Sequence, residues 1–118
     1  MRTLVLGSSI KPERYSNMAI KLLREYDHDV IAHGLREGVV DDVPIQTSFD
    51  GMSGVDTITL YIGPQNQPPY YNEIINQNPR RVIFNPGTEN PELQNLLKDN
   101  GIGFEEACTL VLLRTNQY

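Results

Sequence analysis

The sequence has a single cysteine, Cys108, and no surplus of positive charge. One cysteine excludes an internal disulfide and any zinc site built from several cysteines. Ten Lys and Arg residues stand against fifteen Asp and Glu residues, for a net charge of −5. A protein that neutralises nucleic-acid phosphates needs a basic surplus, so we expect no nucleic-acid partner.

A long apolar run is also missing. No stretch approaches the ~18 apolar residues of a membrane span, and the apolar start at 3–6 meets Gly7 too early for a signal peptide. We therefore expect a cytoplasmic protein with no membrane partner. With 118 residues, 39% of them apolar, the chain is expected to form one domain over residues 1–118.

The residues that are present alternate between strand and helix patterns. Short apolar runs rich in β-branched residues predict strands at 3–6, 29–32, 56–62, 81–84 and 102–105. Helical spacing of apolar residues separates several of these runs. Such alternation is typical of βαβ units, whose right-handed crossovers give a parallel sheet with helices on both faces. The sequence therefore predicts an α/β fold.

Local signals refine this reading at five places. Ser16 and Asn90 are predicted helix N-caps, and the proline pair at 68–69 is predicted to open the helix between them. A polar segment broken by Gly and Pro leaves room for one short strand near residues 43–45. The apolar run at 109–114 fits a strand or a helix equally well.

Ligands of such sheets bind at the carboxyl ends of the strands, where the strand order reverses. The loop that follows the first predicted strand is the strongest candidate. In it Gly7 permits a sharp turn and close approach to a ligand, and the next helix start offers free N–H groups suited to phosphate. The other candidate ligand-binding residues of this loop are Ser8, Ser9, Lys11, Arg14 and Ser16. The alternative is a solvated loop with an ordinary helix cap.

The loop at 85–90 is a second candidate. Asn85 and Thr88 can present hydrogen-bonding groups, and Gly87 permits a close approach. A turn that leads into the Asn90 cap would explain much of the same composition, so both interpretations stay open.

The spacing argues against a dinucleotide such as NAD. Only Gly7 of the G-x-G-x-x-G fingerprint is present, and the second predicted strand ends near His33 rather than at an acidic residue that could bind a ribose hydroxyl. Arg36, a few residues further on, favours an additional phosphate instead.

Four runs together resemble the small bacterial CoA-binding domain family, a Rossmann-like fold related to the CoA-binding domain of succinyl-CoA synthetase. They are LVLGSS at 4–9, PERYSN at 12–17, RVIFNPGTEN at 81–90 and EACTLVL at 106–112, and the likeness extends over residues 3–118. The resemblance implies a five-stranded parallel sheet of order 3-2-1-4-5, a short final helix and coenzyme A as the bound cofactor.

The resemblance also implies roles for individual residues. The diphosphate region would be held by Gly7, Ser8, Ser9, Arg14 and Ser16. Gly34 and the residues after it would flank the adenosine, and Asn85, Pro86 and Gly87 would line the pocket further along. Lys11, Arg14 and Arg36 would supply the local positive charge that an acidic protein needs for a ligand with a diphosphate and a 3′-phosphate.

The residues show no strong sign of catalysis. A nucleophilic Cys108 would need a base, and His28 and His33 are the only histidines; cysteines are more often simply buried. We predict non-catalytic binding of coenzyme A or an acyl-CoA. The alternatives are an enzyme that acts on an acyl-CoA or a phosphorylated metabolite, and an interaction module, such as a homodimer, with a vestigial nucleotide pocket.

Overall fold

The apolar run near the start of the chain forms the centre of a sheet in the computed structural model, which describes all residues 1–118. The strands are β1 (Arg2–Leu6), β2 (Asp29–His33), β3 (Gly38–Val40), β4 (Val43–Gln46), β5 (Val55–Leu60), β6 (Arg81–Phe84) and β7 (Gly103–Glu106). Their order is β3-β4-β2-β1-β5-β6-β7. β1 lies between β2 and β5 and is parallel to both.

The α/β class is confirmed, but the prediction of five parallel strands is wrong. The sheet has seven strands, and β3 pairs antiparallel with β4 while every other pair is parallel. The chain reverses between β3 and β4 at Asp41, whose φ of +53° an aspartate tolerates better than most residues. A three-residue strand offers too few positions for an alternation to be recognised, so β3 left no signal in the sequence.

The helices lie close to their predicted positions, but only one of the two predicted N-caps is present. They are α1 (Tyr15–Glu25), α2 (Tyr71–Asn76), α3 (Pro91–Asp99) and α4 (Thr109–Arg114), with two 3₁₀ turns at Pro64–Asn66 and Pro68–Tyr70. The cap at Asn90 is confirmed, since its side chain accepts hydrogen bonds from the N–H groups of Glu92 and Leu93. The run at 109–114 is a helix, as the resemblance implied.

The predicted cap at Ser16 is wrong. The N-cap of α1 is Arg14, which has an extended backbone and no side-chain cap hydrogen bond. The Arg14 carbonyl accepts hydrogen bonds from the N–H groups of Asn17 and Met18. The helix therefore begins at Tyr15, and Ser16 lies inside its first turn, where it is buried.

Alternate residues of the central strand serve two separate cores. Leu4 and Leu6 belong to a cluster with residues of α2 and α3, whereas Val5 belongs to a cluster with residues of α1 and α4. Successive side chains of a strand point to opposite faces, so helices must cover both faces of the sheet. No helix of the fold has the length and apolar character needed to cross a bilayer.

Replacing the confirmed cap, Asn90→Ala, is expected to lower the free energy of unfolding by about 1–3 kcal/mol. The variant loses both cap hydrogen bonds, and it also leaves Gln67 and Tyr71 without the Asn90 amide donor that they share. Urea denaturation measures the change. Asn95→Ala, an exposed change on the same helix, is the control and should stay within about 0.5 kcal/mol; equal losses in both variants would contradict the assignment.

Candidate functional site

The carboxyl ends of the central strands open onto a cleft of about 1090 Å³. Its walls are the loops that follow β1, β2, β5 and β6. Here the strand order reverses, because the chain runs outward from β1 to β2 on one side and from β5 to β6 on the other. Open α/β sheets hold their ligands at this position. The volume is at the upper end of the ~300–1,000 Å³ typical of ligand pockets, so the cleft has room for an extended ligand.

Hydrogen bonds tie the loop after β1 to the end of β2. The N–H groups of Gly7 and Ser8 both donate to the His33 carbonyl oxygen, at 3.0 and 2.8 Å, and the Ser8 hydroxyl donates to the Val5 carbonyl oxygen at 2.8 Å. Gly7 can serve this turn because glycine adopts its φ of +99° without strain. Both donors of Ser8 are thus engaged within the protein, where they stabilise the turn after β1.

Other donors of the same loop have no acceptor in the protein. The N–H groups of Ser9 and Ile10, and those of Tyr15 and Ser16 in the first turn of α1, make no internal hydrogen bond. All four residues line the cleft. Unpaired N–H groups at a helix start attract anions, so this wall of the cleft is suited to a phosphate.

The charges of the cleft oppose the net charge of the protein. Its lining contains three basic side chains, Lys11, Arg14 and Arg36, and one acidic side chain, Glu37. None of the three basic groups forms an ion pair, whereas four other arginines of the chain do. Burial lowers the pKa of His33, so its ring is neutral near pH 7 and adds no charge. The cleft is therefore locally cationic.

Gly34 allows the loops after β1 and β2 to approach each other closely. A Cβ atom at this position would lie 2.4 Å from the Ser8 carbonyl oxygen, which is closer than real Cβ atoms approach another atom. Its own N–H group donates to the Gln46 carbonyl oxygen at 3.0 Å. The loop after β1, the loop after β2 and the last residue of β4 are thus in contact around Gly34.

Ten of the eleven predicted site residues line this cleft. The exception is Asn85, whose side-chain amide donates to the Thr59 hydroxyl at 2.6 Å and to the Leu60 carbonyl oxygen at 2.8 Å. Its side-chain carbonyl oxygen accepts a hydrogen bond from the Thr109 N–H group at 2.9 Å. Asn85 therefore joins β5, β6 and α4 behind the cleft. The role of the other ten in binding stays a prediction.

Two contributors to the cleft were missed. Gln67 is 1% exposed, and its amide donates to the carbonyl oxygens of Ile62 and Thr88 while its oxygen accepts from Asn90. It braces the loop at 85–90, and one glutamine among prolines carries no signal for this role. Stacking of His33 on Phe49, with ring centroids 4.0 Å apart, was also missed, because the two residues meet only in the folded chain.

The fold and the cleft together define a Rossmann-like α/β protein with a cationic site at the carboxyl edge of its sheet. The sequence profile of the CoA binding domain family matches residues 1–114. The chain belongs to that family. No protein of curated function matches the chain.

Several solved structures have the same fold. A crystal structure of an uncharacterised protein is 44% identical, with a TM-score of 0.95 over 99% of this chain and 97% of that one. A protein from Thermus thermophilus is 21% identical, with a TM-score of 0.88 over 99% of this chain and 90% of that one. A hypothetical protein from Pyrococcus horikoshii OT3 is 23% identical, with a TM-score of 0.87 over 96% and 81%. The last two similarities show the fold alone.

The close approach at Gly34 yields a stability prediction. Gly34→Ala is expected to lower the free energy of unfolding by about 1–3 kcal/mol, because the new methyl group forces the Ser8 backbone to move. Gly63→Ala is the matched control in another wall of the cleft, where a Cβ atom would meet only the flexible Gln65 side chain. The control should change by less than about 1 kcal/mol in chemical denaturation. A Gly34→Ala variant as stable as the control would show that the two loops do not meet as described.

Proposed function

We propose that the protein binds coenzyme A, or an acyl-CoA, without chemically changing it. The observation that carries this proposal is the cationic cleft itself. In a chain of net charge −5, three basic side chains without ion-pair partners line one cleft together with four unpaired backbone donors. Coenzyme A carries a diphosphate and a ribose 3′-phosphate, and membership of the CoA binding domain family supports it over other phosphate ligands.

The positions of the basic groups suggest how the ligand lies. Lys11 and Arg14 flank the free N–H groups of the first loop and of the α1 start, so we assign the diphosphate to this wall. Arg36 lies in the loop after β2, together with Gly34, and we assign it to the 3′-phosphate beside the adenosine. The pantetheine chain would then run toward Pro86 and Gly87 across the cleft.

The side chains around the cleft favour binding over catalysis. Cys108 would need a basic partner to act as a nucleophile, but neither histidine is held beside it. His33 stacks on Phe49, and His28 packs against Tyr118 with ring centroids 4.9 Å apart. An acyl-CoA hydrolase or transferase would be recognised by turnover of an acyl-CoA, which we do not expect.

Calorimetric titration with coenzyme A, dephospho-CoA, NAD and ATP tests the ligand class. Coenzyme A is expected to bind most tightly, and dephospho-CoA more weakly, because Arg36 loses the phosphate assigned to it. NAD should bind weakly, since the first loop contains only one glycine of the dinucleotide fingerprint. A flat trace for coenzyme A beside a clear signal for NAD would overturn the proposal.

Arg14→Ala is expected to weaken coenzyme A binding by about 1.5–3 kcal/mol, the usual contribution of a charge-assisted hydrogen bond. Arg114→Ala is the matched control, because Arg114 is exposed, makes no ion pair and lies outside the cleft. The control should leave the affinity unchanged apart from a small effect of net charge. Equal affinities for the two variants would remove Arg14 from the site.

A further inference from the structure

A second, smaller cavity adjoins the cleft. It has a volume of about 240 Å³ and lies between the start of α1, the ends of β5 and β6, and the start of α4. Its lining consists of Tyr15, Tyr61, Asn85, Pro86, Cys108 and Leu110. Three of these residues, Tyr15, Tyr61 and Pro86, also line the cleft. The two cavities are therefore neighbours, with these three residues on their common boundary.

The two cavities differ in chemistry. The cleft contains four charged side chains, whereas the lining of the smaller cavity contains none and is mostly apolar. Its one amide side chain, Asn85, is already hydrogen-bonded to Thr59, Leu60 and Thr109. No charged group lines the smaller cavity, so it suits an uncharged group better than a phosphate; the one buried polar group of its lining without a partner is the Tyr61 hydroxyl.

Tyr15 lies on the boundary between the two cavities. It is the first residue of α1 and lines both of them, yet 69% of its surface is exposed. A large aromatic side chain left this exposed beside a cavity gains apolar contact when a ligand packs against it.

We propose that the smaller cavity receives the acyl group of a short- or medium-chain acyl-CoA, while the phosphates of the same molecule occupy the cleft. This inference rests on the proposed function. An acyl-CoA has phosphates at one end and an apolar acyl chain at the other, which matches one cationic and one apolar cavity that share a wall. A cavity of ~150 Å³ can hold a six-carbon benzene molecule, so the ~240 Å³ of this cavity has room for an acyl chain of about eight carbons and too little room for a much longer one.

Titration with coenzyme A, acetyl-CoA, butyryl-CoA and octanoyl-CoA tests the inference. Each methylene buried between acetyl and butyryl should tighten binding about fourfold, the effect of removing one methylene from water. Octanoyl-CoA should bind more tightly still, and dodecanoyl-CoA, as a further member of the series, should gain nothing over octanoyl-CoA, because its additional carbons exceed the cavity. If coenzyme A fails to bind, the proposed function is wrong; if it binds and the acyl series is flat or falls from acetyl to butyryl, only the acyl cavity is wrong.

Two substitutions at one position sharpen this test. Cys108→Phe fills the cavity, and Cys108→Ser keeps its volume. The quantity compared is the ratio of the butyryl-CoA affinity to the coenzyme A affinity within each variant. The ratio should fall to about one in Cys108→Phe and stay near the wild-type value in Cys108→Ser. The same ratio in both variants would contradict the inference.

A third variant keeps the test valid if Cys108→Phe does not fold, which thermal unfolding would reveal. Tyr15→Ala removes only an exposed side chain from the common boundary of the two cavities. It should reduce the gain from acetyl to butyryl, because the chain loses one of its apolar contacts. An undiminished gain in this variant would place the acyl chain elsewhere.

Discussion

The cleft depends on one junction, at which the loops after β1 and β2 meet. The His33 carbonyl oxygen accepts two backbone hydrogen bonds from Gly7 and Ser8, and Gly34 lets the Ser8 carbonyl oxygen come within a distance that no side chain would allow. Because this junction uses the donors of Gly7 and Ser8, the next N–H groups along the chain are the ones left unpaired. The junction thus determines both the shape of the cleft and which donors face it.

The distribution of charge follows from the same architecture. Two of the four ion pairs join residues at or near the amino ends of neighbouring strands, namely Arg2 with Asp29 and Arg80 with Asp56. The basic residues at the carboxyl ends have no such partners. An acidic protein therefore keeps positive charge at one edge of its sheet, where an anion can gain from it with little competition from carboxylates.

Two cavities of unlike chemistry meet behind this edge. Asn85 separates them from the interior by joining β5, β6 and α4, while Pro86 on the next position belongs to both walls. A ligand with charged and apolar ends matches this arrangement better than a ligand of uniform polarity. The proposed ligand thus has two separate lines of support, since the family is matched through sequence and the cavities are seen only in the fold.

The sequence by itself determined the α/β class, most of the strands, the Asn90 cap and the loop residues that lie at the carboxyl edge. These follow from local signals, namely β-branched runs, helical spacing and turn residues. Only the tertiary structure decided the antiparallel hairpin of β3 and β4, the start of α1 at Tyr15 rather than at a serine, and the occupation of the Ser8 donors. It also decided that the Asn85 side chain hydrogen-bonds to β5 and α4. It placed the Gln67 side chain against the loop at 85–90 as well. The contacts of Ser8, Asn85 and Gln67 join residues far apart in the chain, for which a single sequence carries no motif. The hairpin and the start of α1 are local, but they are too short to show a periodicity.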